Sequence, residues 1–212
     1  MTLDHLLLAI FWITYGILHS TLAGIGLKNN IKTSFPGFFK YYRLAYNIIA
    51  FLGLGLILWF QLTMQSIEIF STTQITIVFG ALITTAGLCI MVICIKKYFL
   101  SLSGLLGLWK EKKKSELIIS GVHRYVRHPL YFGTFLFIWG LLLLLPMLSL
   151  LISNLIITLY TLIGIRLEEQ KLVLDFGEQY KRYKETVPKI IPRLQISENS
   201  MHHHRQKNSI DR

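Results

Sequence analysis

Apolar residues run through this chain in long blocks, broken by short polar stretches rather than alternating with them. No charged residue or histidine occurs across residues 44–67, 69–95 or 129–165. Across residues 3–27 the exceptions are Asp4, His5 and His19. A bilayer core of ~30 Å takes about 20 apolar residues as helix, so each block is long enough to cross one. The last block would make about 55 Å of continuous helix, too long for one crossing. Pro146 lies near its middle and predicts a tight hairpin of two helices, about 130–145 and 147–165. The pattern therefore predicts an all-α integral membrane protein with five spans, the last two forming a C-terminal hairpin.

Charge tests the span count. The chain carries 22 Lys and Arg against 11 Asp and Glu, a net charge of +11. With five spans, all 22 basic residues fall on one side: in the loop 25–43, in the loop 96–127 and in the tail from Arg166. The other side holds only Asp4, His5 and Glu68. Basic loops stay in the cytoplasm. The expected topology has the N-terminus outside and the C-terminus in the cytoplasm, and it suits a bacterial inner membrane. The first span lacks a basic segment ahead of it and reads as a retained anchor rather than a signal peptide.

Composition removes other classes. A 53% hydrophobic, 13% aromatic chain is not disordered as a whole. Two cysteines make no disulfide scaffold. Cys89 and Cys94 fall inside the third predicted span, where small core residues are the default. The basic excess records topology, so no nucleic-acid partner is expected. No metal site is expected either, the short run His202–His204 reading as plain tail. The chain divides into an N-terminal three-helix membrane region (1–95), a core with the hairpin and a cytosolic segment (96–194), and a disordered tail (195–212).

Polar groups in or beside membrane helices are candidates for function. One cluster is Arg127-His128-Pro129-Leu-Tyr131-Phe-Gly133. Pro129 suits the first turn of a helix. His128 then falls near the N-cap, beside free N–H groups able to hold a carboxylate or phosphate. A second cluster, Arg166-Leu-Glu168-Glu169, ends the last span, and a short hairpin brings it beside the first. Together they offer donors for an anion and carboxylates for a cation or sugar hydroxyls. Phe176, Tyr180 and Tyr183 form a helical stripe, read either as an interfacial helix or as a lid on that site. His19 sits in the first span with Tyr15 on its face, either functional or bonded to another helix.

Arg127-His128-Pro129-x-Tyr131-x-Gly133, an apolar hairpin, Glu168-Glu169, and Phe176-Gly-x-x-Tyr180-x-x-Tyr183 resemble the isoprenylcysteine carboxyl methyltransferase and phospholipid methyltransferase superfamily. The resemblance covers about residues 95–194. In the N-terminal half, His19-Ser20-x-x-Ala23 and Tyr42-Arg43-Leu-x-Tyr46-Asn47 are similar to the methanethiol S-methyltransferase and NnrU-type branch. Gly104–Trp109 is a rough match to that branch's Gly-Leu-rich stretch.

The resemblance implies S-adenosylmethionine as methyl donor, bound on the cytosolic side. His128 and the helix start at Pro129 suit its carboxylate, and Glu168 or Glu169 its ammonium or ribose. Tyr131, Tyr180 and Tyr183 suit its adenine or sulfonium. It further implies a small thiol as acceptor; a thiol needs thiolate formation, which His19 or a cationic neighbour would serve. The alternatives are a lipid or prenylcysteine carboxylate, which Arg166 would orient, or an NnrU-like membrane transport or accessory protein without turnover.

Overall fold

The computed structural model describes residues 2–103 and 117–192, with side chains described except at 98–103. Gly104–Trp109, His202–His204 and the tail from 195 lie outside the described residues. Among the described residues seven α-helices follow in chain order: α1 (Leu3–Ala23), α2 (Ile25–Ser34), α3 (Pro36–Thr63), α4 (Gln74–Ser103), α5 (Pro129–Leu144), α6 (Leu148–Phe176) and α7 (Glu178–Thr186). A short 3-10 turn, Gly121–Arg124, precedes α5. Among the described residues there is no strand, only an isolated bridge between Glu68 and Met147.

α1, α3, α4 and α6 are each long and apolar enough to cross a membrane. α5 is apolar but has 16 residues, about 24 Å at ~1.5 Å per residue. Large apolar side chains face outward along these helices: Phe51 is 76% exposed, Leu62 82% and Ile75 69%. Such surfaces are untenable in water and ordinary in lipid. The chain is an integral membrane protein.

Several boundaries differ from the hydropathy blocks. The stretch 25–43, a loop by hydropathy, instead holds α2 and about the first two turns of α3, started by Pro36 at a position that needs no N–H donor. α4 begins at Gln74, where Thr73 and Thr76 exchange hydrogen bonds. The residues before it are taken up by the hairpin turn: Ile69 N–H donates to Pro146 O at 2.8 Å and Leu148 N–H to Ile67 O at 2.9 Å. α6 runs to Phe176 instead of stopping near 165, because nothing in Arg166-Leu-Glu-Glu-Gln-Lys breaks a helix. Gly177 ends it with a φ of +54°, a conformation that glycine adopts without strain.

Two seams hold the bundle. α4 and α5 touch backbone to backbone at glycines. A Cβ on Gly87 would run into Phe137 N and come within 2.6 Å of Gly133 O, and one on Gly140 would lie 2.6 Å from Thr84 N. Small residues at such crossings let van der Waals packing drive helix association in a membrane. On the other side α1, α3 and α6 enclose Leu8, Trp12 and Ile57, with Leu54, Phe60, Ile156 and Ile157 around them. Besides Asn154, α6 buries Ser149, Ser153, Thr161, Ile165 and Glu169. These five lie at intervals of four or eight, a seam that winds slowly round the helix. Its hydroxyls find partners across the bundle, as where Ser153 Oγ donates to Gln61 Oε1 at 2.8 Å.

Candidate functional site

The same periodicity separates the two adjacent carboxylates. Glu169 continues the buried seam of α6, whereas Glu168, about 100° further round, faces out toward the start of α5. Their surroundings differ accordingly.

Glu169 is 5% exposed and surrounded by cations. Arg127 Nε and Nη2 both lie 2.8 Å from its Oε1. Lys189 Nζ and Lys184 Nζ lie 3.7 and 3.8 Å from Oε2. Arg127 also donates through Nη1 to Lys184 O and Val187 O, closing the C-terminal end of α7. The main chain repeats the link: Arg127 N–H donates to Pro188 O and His128 N–H to Lys189 O. Arg127 thus ties α6, α7 and the segment after α7 to the loop before α5. It was read in the sequence only as part of a motif. Its signal was present, since an arginine beside an intramembrane helix start needs a buried anion.

Glu168 has a 45% exposed side chain. Tyr131 OH donates to its Oε2 at 3.2 Å, and His128 Nδ1 lies 3.7 Å from the same oxygen. The His128 ring stacks on Tyr131 with centroids 5.7 Å apart and planes at 23°. Its Nε2 is 3.3 Å from Glu169 Oε1, so the imidazole bridges both carboxylates. Burial lowers the His128 pKa below its ordinary value of 6.5, against the opposing pull of Glu168 and Glu169. His128 is the N-cap of α5 and Pro129 its first residue.

α7 closes the cluster. Tyr183 OH donates to His123 O at 2.6 Å, and the Tyr180 and Tyr183 rings lie 5.9 Å apart. Tyr180 is 1% exposed, yet its hydroxyl has no hydrogen-bond partner among the described residues. Burial first, and then the Glu169 carboxylate, raise the Tyr180 pKa, so the phenol stays a neutral donor.

His128, Pro129, Tyr131, Glu168, Glu169, Tyr180 and Tyr183 therefore lie in one assembly. Arg166 does not join it: it is exposed and forms no ion pair with a described residue. His19 lies elsewhere in the bundle, one turn before the end of α1, with Tyr46 OH 2.8 Å from its Nε2. Tyr160 of α6 stands beside it at 6.4 Å between ring centroids. Sequence reasoning missed Tyr160, although a tyrosine inside an apolar span is itself a signal. An open cavity of about 550 Å³ lies along α7, lined by Leu117, Ile119, Glu178, Gln179, Arg182, Tyr183 and Thr186. Of the assembly, it includes Tyr183.

Residues 75–179, from the start of α4 to the start of α7, match the phospholipid methyltransferase family. A methanethiol S-methyltransferase of Crocosphaera subtropica is 42% identical over 72 residues, 33% of this chain and 27% of that protein. A methanethiol S-methyltransferase of Pseudomonas deceptionensis is 36% identical over 81 residues, 37% of this chain and 29% of that protein. A protein-S-isoprenylcysteine O-methyltransferase of Schizosaccharomyces pombe is 37% identical over 84 residues, 39% of this chain and 36% of that protein. The match thus spans about a third or less of the length of these curated relatives. No solved structure matches the chain.

Proposed function

We propose, from the premise that this chain carries a phospholipid methyltransferase family domain, that it is a membrane methyltransferase using S-adenosylmethionine to methylate a small thiol. Five spans are proposed, α5 pairing with α6 as a hairpin, with the N-terminus outside and the methyl-donor site in the cytoplasm of a bacterial cell. The sorting of every Lys and Arg to one side supports that orientation.

The observation that carries the reading is the meeting of His128 and Tyr131 with Glu168, beside a buried tyrosine hydroxyl that has no partner among the described residues. These residues fit the donor. Glu168 is the carboxylate still open to a ligand ammonium or ribose diol, whereas Glu169 is neutralised by Arg127 and two lysines. The first turn of α5, with neutral His128 at its cap, suits a ligand carboxylate. The Tyr180 hydroxyl suits a ligand hydrogen bond, and the rings of Tyr131, Tyr180 and Tyr183 suit an adenine face or a sulfonium. When bound, the donor supplies an electrophilic methyl group. The protein supplies alignment and exclusion of water.

The names of two relatives favour a thiol acceptor, and His19 is the group able to take its proton. A prenylcysteine carboxylate is the second reading, favoured by the name of the fission-yeast relative. Such an acceptor needs no base, only a cation such as exposed Arg166.

Calorimetric titration of S-adenosylhomocysteine into purified protein tests the donor site. Binding by the wild type, weakened at least tenfold in Glu168→Ala, is expected; no binding by the wild type removes the methyltransferase reading. Transfer of labelled methyl to methanethiol, a lipid extract and a prenylcysteine then separates the acceptors.

A further inference from the structure

His19 has an environment built around it. Three tyrosines from three helices surround the imidazole: Tyr15 of α1 at 5.8 Å, Tyr46 of α3 at 5.3 Å and Tyr160 of α6 at 6.4 Å between ring centroids. Two glycines make room for two of these rings. A Cβ on Gly16 would come within 3.0 Å of the Tyr160 ring, and one on Gly53 within 3.3 Å of Tyr15. The tyrosines are also held by their hydroxyls. Tyr160 OH lies 3.0 Å from Ser20 Oγ, and Tyr15 OH donates to Ala50 O at 3.1 Å.

The arrangement differs from that of a histidine used only as a structural tie. His19 is half-buried rather than sealed. Its two ring nitrogens lie 3.2 and 2.8 Å from the same Tyr46 oxygen. One hydroxyl serves one nitrogen well, so the other remains for a further group. The niche is not isolated from the donor assembly. Tyr131, which holds Glu168, lies within electrostatic reach of both Tyr46 and Tyr160. On α6, Tyr160 precedes Glu168 by eight residues, about 12 Å.

We infer that the niche of His19, Tyr15, Tyr46 and Tyr160 is the subsite for a small protic acceptor, and that Tyr46 is the positioning residue that keeps His19 a base. This rests on the thiol reading above. Nε2–H donates to the Tyr46 oxygen, which leaves the Nδ1 lone pair for the acceptor proton. The acceptor sulfur gives its proton to Nδ1 and forms a bond to the donor methyl. The methyl–sulfonium bond breaks with its electron pair staying on the donor sulfur, and the proton leaves later from the imidazolium to solvent. The walls are three aromatic rings, so the niche favours a methyl- or ethyl-sized group on the thiol over a long chain.

Acceptor acidity tests this independently of donor binding. Turnover is measured with two small thiols, one protonated at pH 7 and one fluorinated alkanethiol largely ionised there. S-adenosylhomocysteine affinity is measured beside it. In Tyr46→Phe and His19→Gln, turnover of the protonated thiol should fall about a hundredfold, the usual scale of general-base catalysis. The loss with the ionised thiol should be at least tenfold smaller, and S-adenosylhomocysteine affinity should stay within about threefold of wild type. Equal losses with both thiols, no loss with either, or loss of S-adenosylhomocysteine binding in both variants would overturn the inference. A wild type that binds S-adenosylhomocysteine yet methylates neither thiol would overturn the thiol reading, and this subsite with it.

Discussion

Glu168 and Glu169 are neighbours in sequence with opposite duties in the structure. Glu169 has its oxygens within 4 Å of three basic side chains and sits 5% exposed, so removing its charge leaves Arg127 buried without an anion. Breaking a buried pair costs about 3–5 kcal/mol. Glu169→Gln should therefore lower the thermal midpoint in detergent by many degrees, whereas Glu168→Gln should leave it nearly unchanged and weaken S-adenosylhomocysteine binding. A midpoint shift of equal size in both variants would contradict the division. His128 gives the pH dependence. Its folded-state pKa is lowered, so the stability it contributes is complete above its ordinary value of 6.5 and is lost as pH falls through the folded value. Between pH 7 and 5 the wild type should lose more thermal stability than His128→Gln, whose neutral amide does not titrate. The sequence exposed both carboxylates and the histidine as candidates. It did not distinguish their roles, because that depends on which helix face meets Arg127, and Arg127 is 42 residues away in the chain.

At the scale of elements, hydropathy located every apolar helix but missed several ends. It placed the hairpin turn at Pro146 and the start of α5 at Pro129, where proline chemistry is local. It missed α2 and the continuation of α6 past the apolar block, since a polar helix leaves no hydropathy signal. It also gave no sign of the α4–α5 seam, because glycines in a span are ambiguous until a partner helix is known. That seam carries a sharp expectation. At Gly87 the obstructing atoms are Phe137 N and Gly133 O, both backbone and unable to rotate aside. Gly87→Ala should destabilise by about 1–3 kcal/mol through overpacking. Gly26→Ala, which meets nothing within 4 Å, is the matched control and should be neutral in the same thermal assay.

For the molecule as a whole, the legible quantity was the distribution of charge, which separates one end of the bundle from the other without any knowledge of packing. The illegible one was how the ends are fastened. At the opposite end from the Arg127–Glu169 assembly, Ser66 Oγ takes the Ser149 N–H at 3.0 Å and lies 3.2 Å from His5 Nε2, joining α1, the turn before α4 and the hairpin. At the basic end the fastening is the segment after α7, whose carbonyls at Pro188 and Lys189 receive the Arg127 and His128 N–H groups. A ribosome makes that segment some sixty residues after Arg127. Until it emerges, Arg127 lacks the acceptors at Lys184 and Val187, and the loop before α5 lacks its backbone partners. The helices can insert in order as they are translated, but the polar assembly has to wait for the chain that follows them. A chain truncated after Tyr183 and released would thus be a membrane protein with its apolar helices in place and its candidate donor site unassembled.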